Sequence, residues 1–161
     1  MFNGKIRSAL RGPLLAVVLV AVFAGTALAT GASGFAATPL SRGSLAGPVQ
    51  FNLGDIKFQT KDDVDVATGT VTISPLGSSG WHSHPGIVIV TVKAGTVTFY
   101  NQWCAPTVHG AGTVFIEATG DGPGLARNES TTDNAIVYVT YVVPTGVSLR
   151  INEANPGCPQ N

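Results

Sequence analysis

Two of the three histidines in this 161-residue chain stand one residue apart, in the segment Gly80-Trp81-His82-Ser83-His84-Pro85-Gly86. Side chains at i and i+2 of an extended strand point to one face. His82 and His84 therefore present two imidazoles toward one point, a geometry that chelates a transition metal. Ser83 faces the other way. The sequence holds no serine nucleophile elbow, phosphate loop or dinucleotide fingerprint. The chemistry open to this chain centres on the histidine pair.

The elements that must position the pair are strands. Residues 50–61, 64–73, 87–92, 96–100, 113–118 and 135–143 are strand candidates, separated by Gly, Pro, Asn and Asp turns, with a further short one at 147–151. No helical period appears after residue 29. This pattern predicts an all-β sandwich or barrel. Val90, Val92, Phe99, Phe115, Val137 and Val139 are its core candidates. Tyr138 and Tyr141 have opposite parity, so only one of them faces inward. An interior this apolar favours a hydrophobic ligand.

Residues 1–29 read as a Sec-type signal peptide. Lys5, Arg7 and Arg11 form a basic region, residues 14–25 are apolar, and Ala27-Leu28-Ala29 is a small-x-small cleavage site, with a second candidate near Ala36-Ala37. The apolar run is short for a bilayer span, which needs roughly 20 residues. Cleavage removes three of nine basic residues and leaves six against nine acidic ones. That balance argues against nucleic acid or an anionic membrane as partner. In an oxidising compartment the two cysteines, Cys104 and Cys158, favour a disulfide. The chain then divides into signal peptide (1–29), flexible arm and first strand (30–60), barrel (61–143), and a C-terminal tail (144–161) tied back by the disulfide.

Two segments resemble the motifs of the cupin family. Residues 77–95 (GSSGWHSHPGIVIVTVKAG) resemble the first, in which a glycine, His-x-His, a glutamate and a closing glycine follow in order. Residues 112–128 (GTVFIEATGDGPGLARN) resemble the second, with its Gly, Pro-x-Gly, His and Asn. The closer likeness is to small secreted bacterial cupin-domain proteins with GWHSHPG and ARNE segments. The resemblance implies a single double-stranded β-helix, or jelly-roll, barrel with a pocket between its sheets. It implies one divalent metal held by His82, His84, a motif-one glutamate and a motif-two histidine. The last two are replaced: Val88 stands at the glutamate position, or Ile89 with the alternative spacing, and Gly124 stands at the histidine position.

Two imidazoles alone make an incomplete site for most metals. The candidate third ligands are Glu117 and Asp121, on or just after the second-motif strand, and His109 in the loop between the motifs. Trp81, Val88 and Val90 are the candidate pocket residues, Trp81 having the alternative reading of a barrel-closing hydrophobe. Three readings stay open. The barrel holds a divalent transition metal (Zn, Fe, Mn, Cu or Ni) as a binding protein or as an oxygenase or isomerase. It is a metal-free pocket for a small molecule. Or it is a structural barrel, associating as a homodimer. Asn128-Glu129-Ser130 matches a glycosylation sequon, but coincides with the motif-two asparagine, which suggests backbone bracing. Asp62, Asp63 and Asp65 read as a solvated turn.

Overall fold

The computed structural model describes residues 29–117 and 122–160. The signal-peptide expectation for residues 1–28 and the candidate ligand Asp121 lie outside the described residues. No helix occurs among the described residues. The strands are β1 (Ser33–Leu45), β2 (Val49–Leu53), β3 (Ile56–Thr60) and β4 (Val64–Ser78). Then come β5 (His82–Ser83), β6 (Ile87–Ala94), β7 (Thr96–Tyr100) and β8 (Pro106–Gly110). The set ends with β9 (Val114–Glu117), β10 (Leu125–Arg127), β11 (Ala135–Pro144) and β12 (Ile151–Asn152).

One sheet runs β8-β7-β10-β4-β11-β6-β9, with β1 also paired to β4. It curls into a nearly closed barrel, in keeping with the all-β expectation. Long β4 makes the curl: residues 64–73 pair with β11, and Ser78 at its far end pairs with Arg127 of β10. The two-residue alternation sorts side chains by face. Val88, Val90 and Val92 of β6 are buried, while Ile87 and Ile89 are exposed. The buried set joins Val71, Ile73, Val97, Phe115, Val137 and Val139 in one interior cluster, with Phe99 and Tyr141 packed against it. Tyr138 points outward, 42% exposed, beside Lys93. Between β6 and β7 the chain reverses at Gly95, whose φ of 71° suits a residue without a Cβ.

The Gly-, Ala-, Ser- and Pro-rich stretch after residue 29 reads as a flexible arm in the sequence, and the fold corrects that. It forms β1, thirteen residues long, antiparallel to β4 from Ser33↔Ser78 to Leu45↔Val64. Its side chains are nearly all exposed, so no apolar alternation marks it. What holds it is the backbone ladder along the β4 edge that β11 leaves open. Asp65 adds a lock, and so is not part of a solvated turn. It is buried, and accepts bonds from Arg42 Nη2 (2.6 Å), Ser44 Oγ (2.6 Å) and the Gly146 N–H (3.0 Å). The Gly146 N–H, the Ser44 hydroxyl and Arg42 hold its carboxyl well below the usual carboxylate range. Strands β8 and β10, which the sequence pattern does not mark, complete the second half of the barrel.

Asn128 braces the barrel rather than offering a sugar acceptor. It is 1% exposed, and its amide nitrogen meets the carbonyls of Ile73, Ser74 and Asp133. The Cys104–Cys158 disulfide is formed and draws the tail against the barrel.

Candidate metal centre

The histidine strand is clasped on both edges. On one, His82 and Ser83 pair with Asn152 and Ile151 of β12. On the other, His82 exchanges two backbone bonds with Gly124, at 3.0 and 2.8 Å. This clamp fixes which way the imidazoles face. Both side chains are buried, 5% exposed for His82 and 6% for His84. The rings meet edge to face, 4.8 Å apart.

Glu117 completes the cluster. Its Oε2 lies 2.9 Å from His84 Nε2 and 3.4 Å from His82 Nε2. All three ligand atoms fall within 4.8 Å of one another. Donors bonded at 2.0–2.2 Å to one ion, at angles near 90–110°, sit about 2.8–3.6 Å apart. The two measured edges match that spacing. Of the two candidate third ligands among the described residues, Glu117 is the one brought to the pair.

The far sides of the rings decide what the near sides can do. His82 Nδ1 donates to the Gly80 carbonyl (2.9 Å), and His84 Nδ1 to the Leu149 carbonyl (2.5 Å). With Nδ1–H spent there, a neutral ring meets Glu117 with a lone pair on Nε2. Two lone pairs and a carboxylate oxygen then converge, and a cation must lie between them. Protons on the rings can serve, and so can a metal ion. The carbonyl contacts are of the kind that orient metal-bound histidines. Burial alone would push the Glu117 carboxyl up, but the hydrogen bonds and charge of His82 and His84 outweigh it and bring it down to about 2.

The register explains how the glutamate absent from position 88 is replaced. Val88 of β6 pairs directly with Glu117 of β9, and on its other side with Tyr141 of β11. Directly paired residues share a face with Cβ atoms about 4.5–5.5 Å apart. The carboxylate has in effect crossed one rung of the ladder and still points at the same spot. The motif-two histidine is not replaced in this way. A Cβ on Gly124 would lie 2.3 Å from Phe99 Cζ, so the Phe99 ring occupies that side-chain position.

Two expectations are corrected. His109 does not join the cluster: it lies on β8 opposite Val97, its ring stacks on Phe115 at 4.1 Å, and its Nε2 meets the Thr107 hydroxyl. Burial pushes its imidazole pKa down. Trp81 does not line the pocket. One residue from His82, it has the opposite parity, and it packs fully buried with Tyr100, Leu125 and the disulfide, its Nε1–H donating to the Gln160 carbonyl. Val88 and Val90 do line the cavity.

That cavity has a volume of about 550 Å³ and reaches from the cluster along the valine walls to β1. Small inward residues on β4, Ala67 and Gly69, help leave it open. Tyr141 and Arg150 border it at the cluster's end. The Tyr141 ring lies 5.6 Å from that of His84. Burial, then the charge of Glu117, push the Tyr141 hydroxyl up to about 12. Arg150 is half-buried; burial lowers its pKa while Glu117 acts the other way. Sequence reasoning missed Arg150 and Leu149. The available signal was a lone charge between Leu149 and Ile151, in a tail that the cysteine pair ties back.

Fold and site together define a nearly closed all-β barrel with a buried His–His–Glu cluster at one end of an apolar cavity. No family model and no curated protein matches the sequence. Among solved structures, the chain is similar to a double-stranded β-helix domain protein from Klebsiella pneumoniae, at 20% identity and TM-score 0.47, over 55% of this chain and 70% of that one. It is also similar to a cupin 2 conserved barrel domain protein from Leptotrichia buccalis, at 17% identity and TM-score 0.46, over 67% of this chain and 40% of that one. A DMSP lyase from Ruegeria pomeroyi shares 17% identity at TM-score 0.49, over 57% of this chain and 45% of the lyase. The chain thus spans less than half the length of the last two.

Proposed function

We propose that this chain is an exported cupin-type protein that binds one divalent transition metal through His82, His84 and Glu117 and receives a small, partly apolar molecule in the adjoining cavity. One observation carries the reading: the buried Glu117 Oε2 faces two Nε2 atoms whose rings are held by Nδ1 bonds to carbonyls. Three protein ligands leave coordination positions open, as in catalytic zinc sites and two-histidine, one-carboxylate iron sites. Export is supported by the residue 1–29 pattern and by the disulfide, which suits an oxidising compartment.

The test is elemental analysis of protein recovered from an exporting host, beside His82→Ala/His84→Ala and Glu117→Gln variants. The expected result is near-stoichiometric metal in the parent and a loss in both variants. Absence of metal after incubation with Zn, Fe, Mn, Cu and Ni would overturn the reading. A second reading, a metal-dependent oxygenase or isomerase, gains from the same geometry, because Glu117 supplies the third ligand that such chemistry needs. Oxygen uptake by the Fe(II)-loaded protein, present in the parent and absent in Glu117→Gln, would favour an oxygenase over a binding protein. A purely structural barrel would fill its interior with side chains, and the open cavity of about 550 Å³ speaks against it.

A further inference from the structure

The polar end of the cavity holds two groups besides the three metal donors. Arg150 is fixed by two bonds, Nη2 to the Ser79 carbonyl at 2.6 Å and Nε to Asn152 Oδ1 at 2.8 Å. A guanidinium has five N–H donors, so three are left without a partner among the described residues. The Tyr141 hydroxyl, at the same end, makes no hydrogen bond among the described residues. Both side chains border the cavity. Phe35, Val90, Val137 and Val139 give the same cavity hydrocarbon wall.

Charge balance narrows what can sit there. A divalent ion and Arg150 together exceed Glu117 by two positive charges. Uncompensated charge against apolar walls is costly, so the ligand that fills the space must bring negative charge. One arginine fork and one hydroxyl suit the two oxygens of a planar carboxylate. A phosphate dianion would leave further oxygens against valine. We infer that the cavity takes a small organic carboxylate, its head group shared by the metal, the Arg150 guanidinium and the Tyr141 hydroxyl, its hydrocarbon part lying along Val90, Val137 and Val139. This rests on the metal reading above, and it adds the chemical class of the ligand.

The experiment is calorimetric titration of the Zn-treated protein with acetate, hexanoate and benzoate, each beside its neutral amide. Zn content is measured in every sample. Charge-assisted hydrogen bonds contribute roughly 1.5–3 kcal/mol, so hexanoate or benzoate should bind at least about tenfold tighter than its amide. Arg150→Gln should bring that ratio close to one. Tyr141→Phe should reduce it several-fold, and serves as the second variant if Arg150→Gln does not fold by circular dichroism. Full Zn occupancy with no acid preferred over its amide would overturn the carboxylate inference and leave the metal reading intact. Zn absent from the parent would overturn the metal reading. In that case an acid preference that Arg150→Gln abolishes still supports the anion subsite, and no preference overturns it.

Discussion

If Glu117 has taken over the role of a carboxylate at position 88, the two positions should tolerate exchange. Val88 and Glu117 are direct cross-strand partners, buried to 1% and 8% exposure on one face. Val88→Glu alone would put a second carboxylate about 5 Å from the first. At an effective dielectric near 20, two like charges at that distance repel by about 3 kcal/mol. The alternative is to keep the new carboxyl neutral at pH 7 against an ordinary pKa near 4.3, which costs about 4 kcal/mol. Both routes give Val88→Glu a loss of about 3–4 kcal/mol. Glu117→Val strands the two histidines without their acceptor and should cost about 2 kcal/mol, the worth of a charged hydrogen bond. The double exchange, Val88→Glu/Glu117→Val, returns one valine and one carboxylate to the rung. It should lie within about 1 kcal/mol of the parent, a coupling far above the ~0.5 kcal/mol tolerance for independent sites. Urea unfolding of the four metal-free proteins measures this. Metal titration should follow the same order, lost in Glu117→Val and regained in the exchange. Additive single costs would refute the idea that the two positions aim at one point.

Other consequences follow from the same region. Gly124→Ala should cost about 1–3 kcal/mol through overpacking, because its Cβ would fall 2.3 Å from Phe99 Cζ. In a Phe99→Leu background that cost should fall below about 1 kcal/mol; equal costs in urea unfolding would show that Phe99 is not what fills the fourth ligand position. Tyr141 gives a pH signature. Its folded pKa is raised from 10.0 to about 12, so the folded state holds the proton more tightly than the unfolded chain. The stability is fully present below pH 10 and is lost as pH rises toward 12, by roughly 2–3 kcal/mol in metal-free protein. Tyr141→Phe should lack that part of the decline when unfolding is followed from pH 9 to 12. Matching slopes in the two proteins would refute it.

Much of this is legible in the chain because strands announce themselves when one face is buried. The alternation in residues 87–92 and 135–143 marks β6 and β11, and the His-x-His spacing places two imidazoles on one face wherever that strand sits. The same parity rule sends Tyr138 and Tyr141 to opposite faces. The opposite parity of Trp81 and His82 was equally readable, and it puts the tryptophan away from the cavity. The even cysteine count foreshadowed the disulfide. Strand β1 was hidden because its side chains are exposed and its stability comes from backbone pairing, which leaves no mark on side-chain pattern.

Register is what the chain alone could not reveal. Glu117 was one of three candidates for the third ligand; its place on the second-motif strand sets it, with Asp121, above the loop residue His109, and nothing in local sequence ranks it over Asp121. Pairing sets the choice: β9 lies beside β6 with Glu117 opposite Val88, whereas β8 carries His109 to Val97 on the far side of Phe115. The Leu149 carbonyl reaches His84 from 65 residues away and Arg150 reaches the Ser79 carbonyl from 71, carried by a tail whose path depends on β12 pairing with β5 and on the disulfide. Local sequence determined which side chains could share a face of a strand. Which strands lie side by side, and so which faces share a cavity, is settled by long-range pairing and packing, and there the centre and its open neighbour are made.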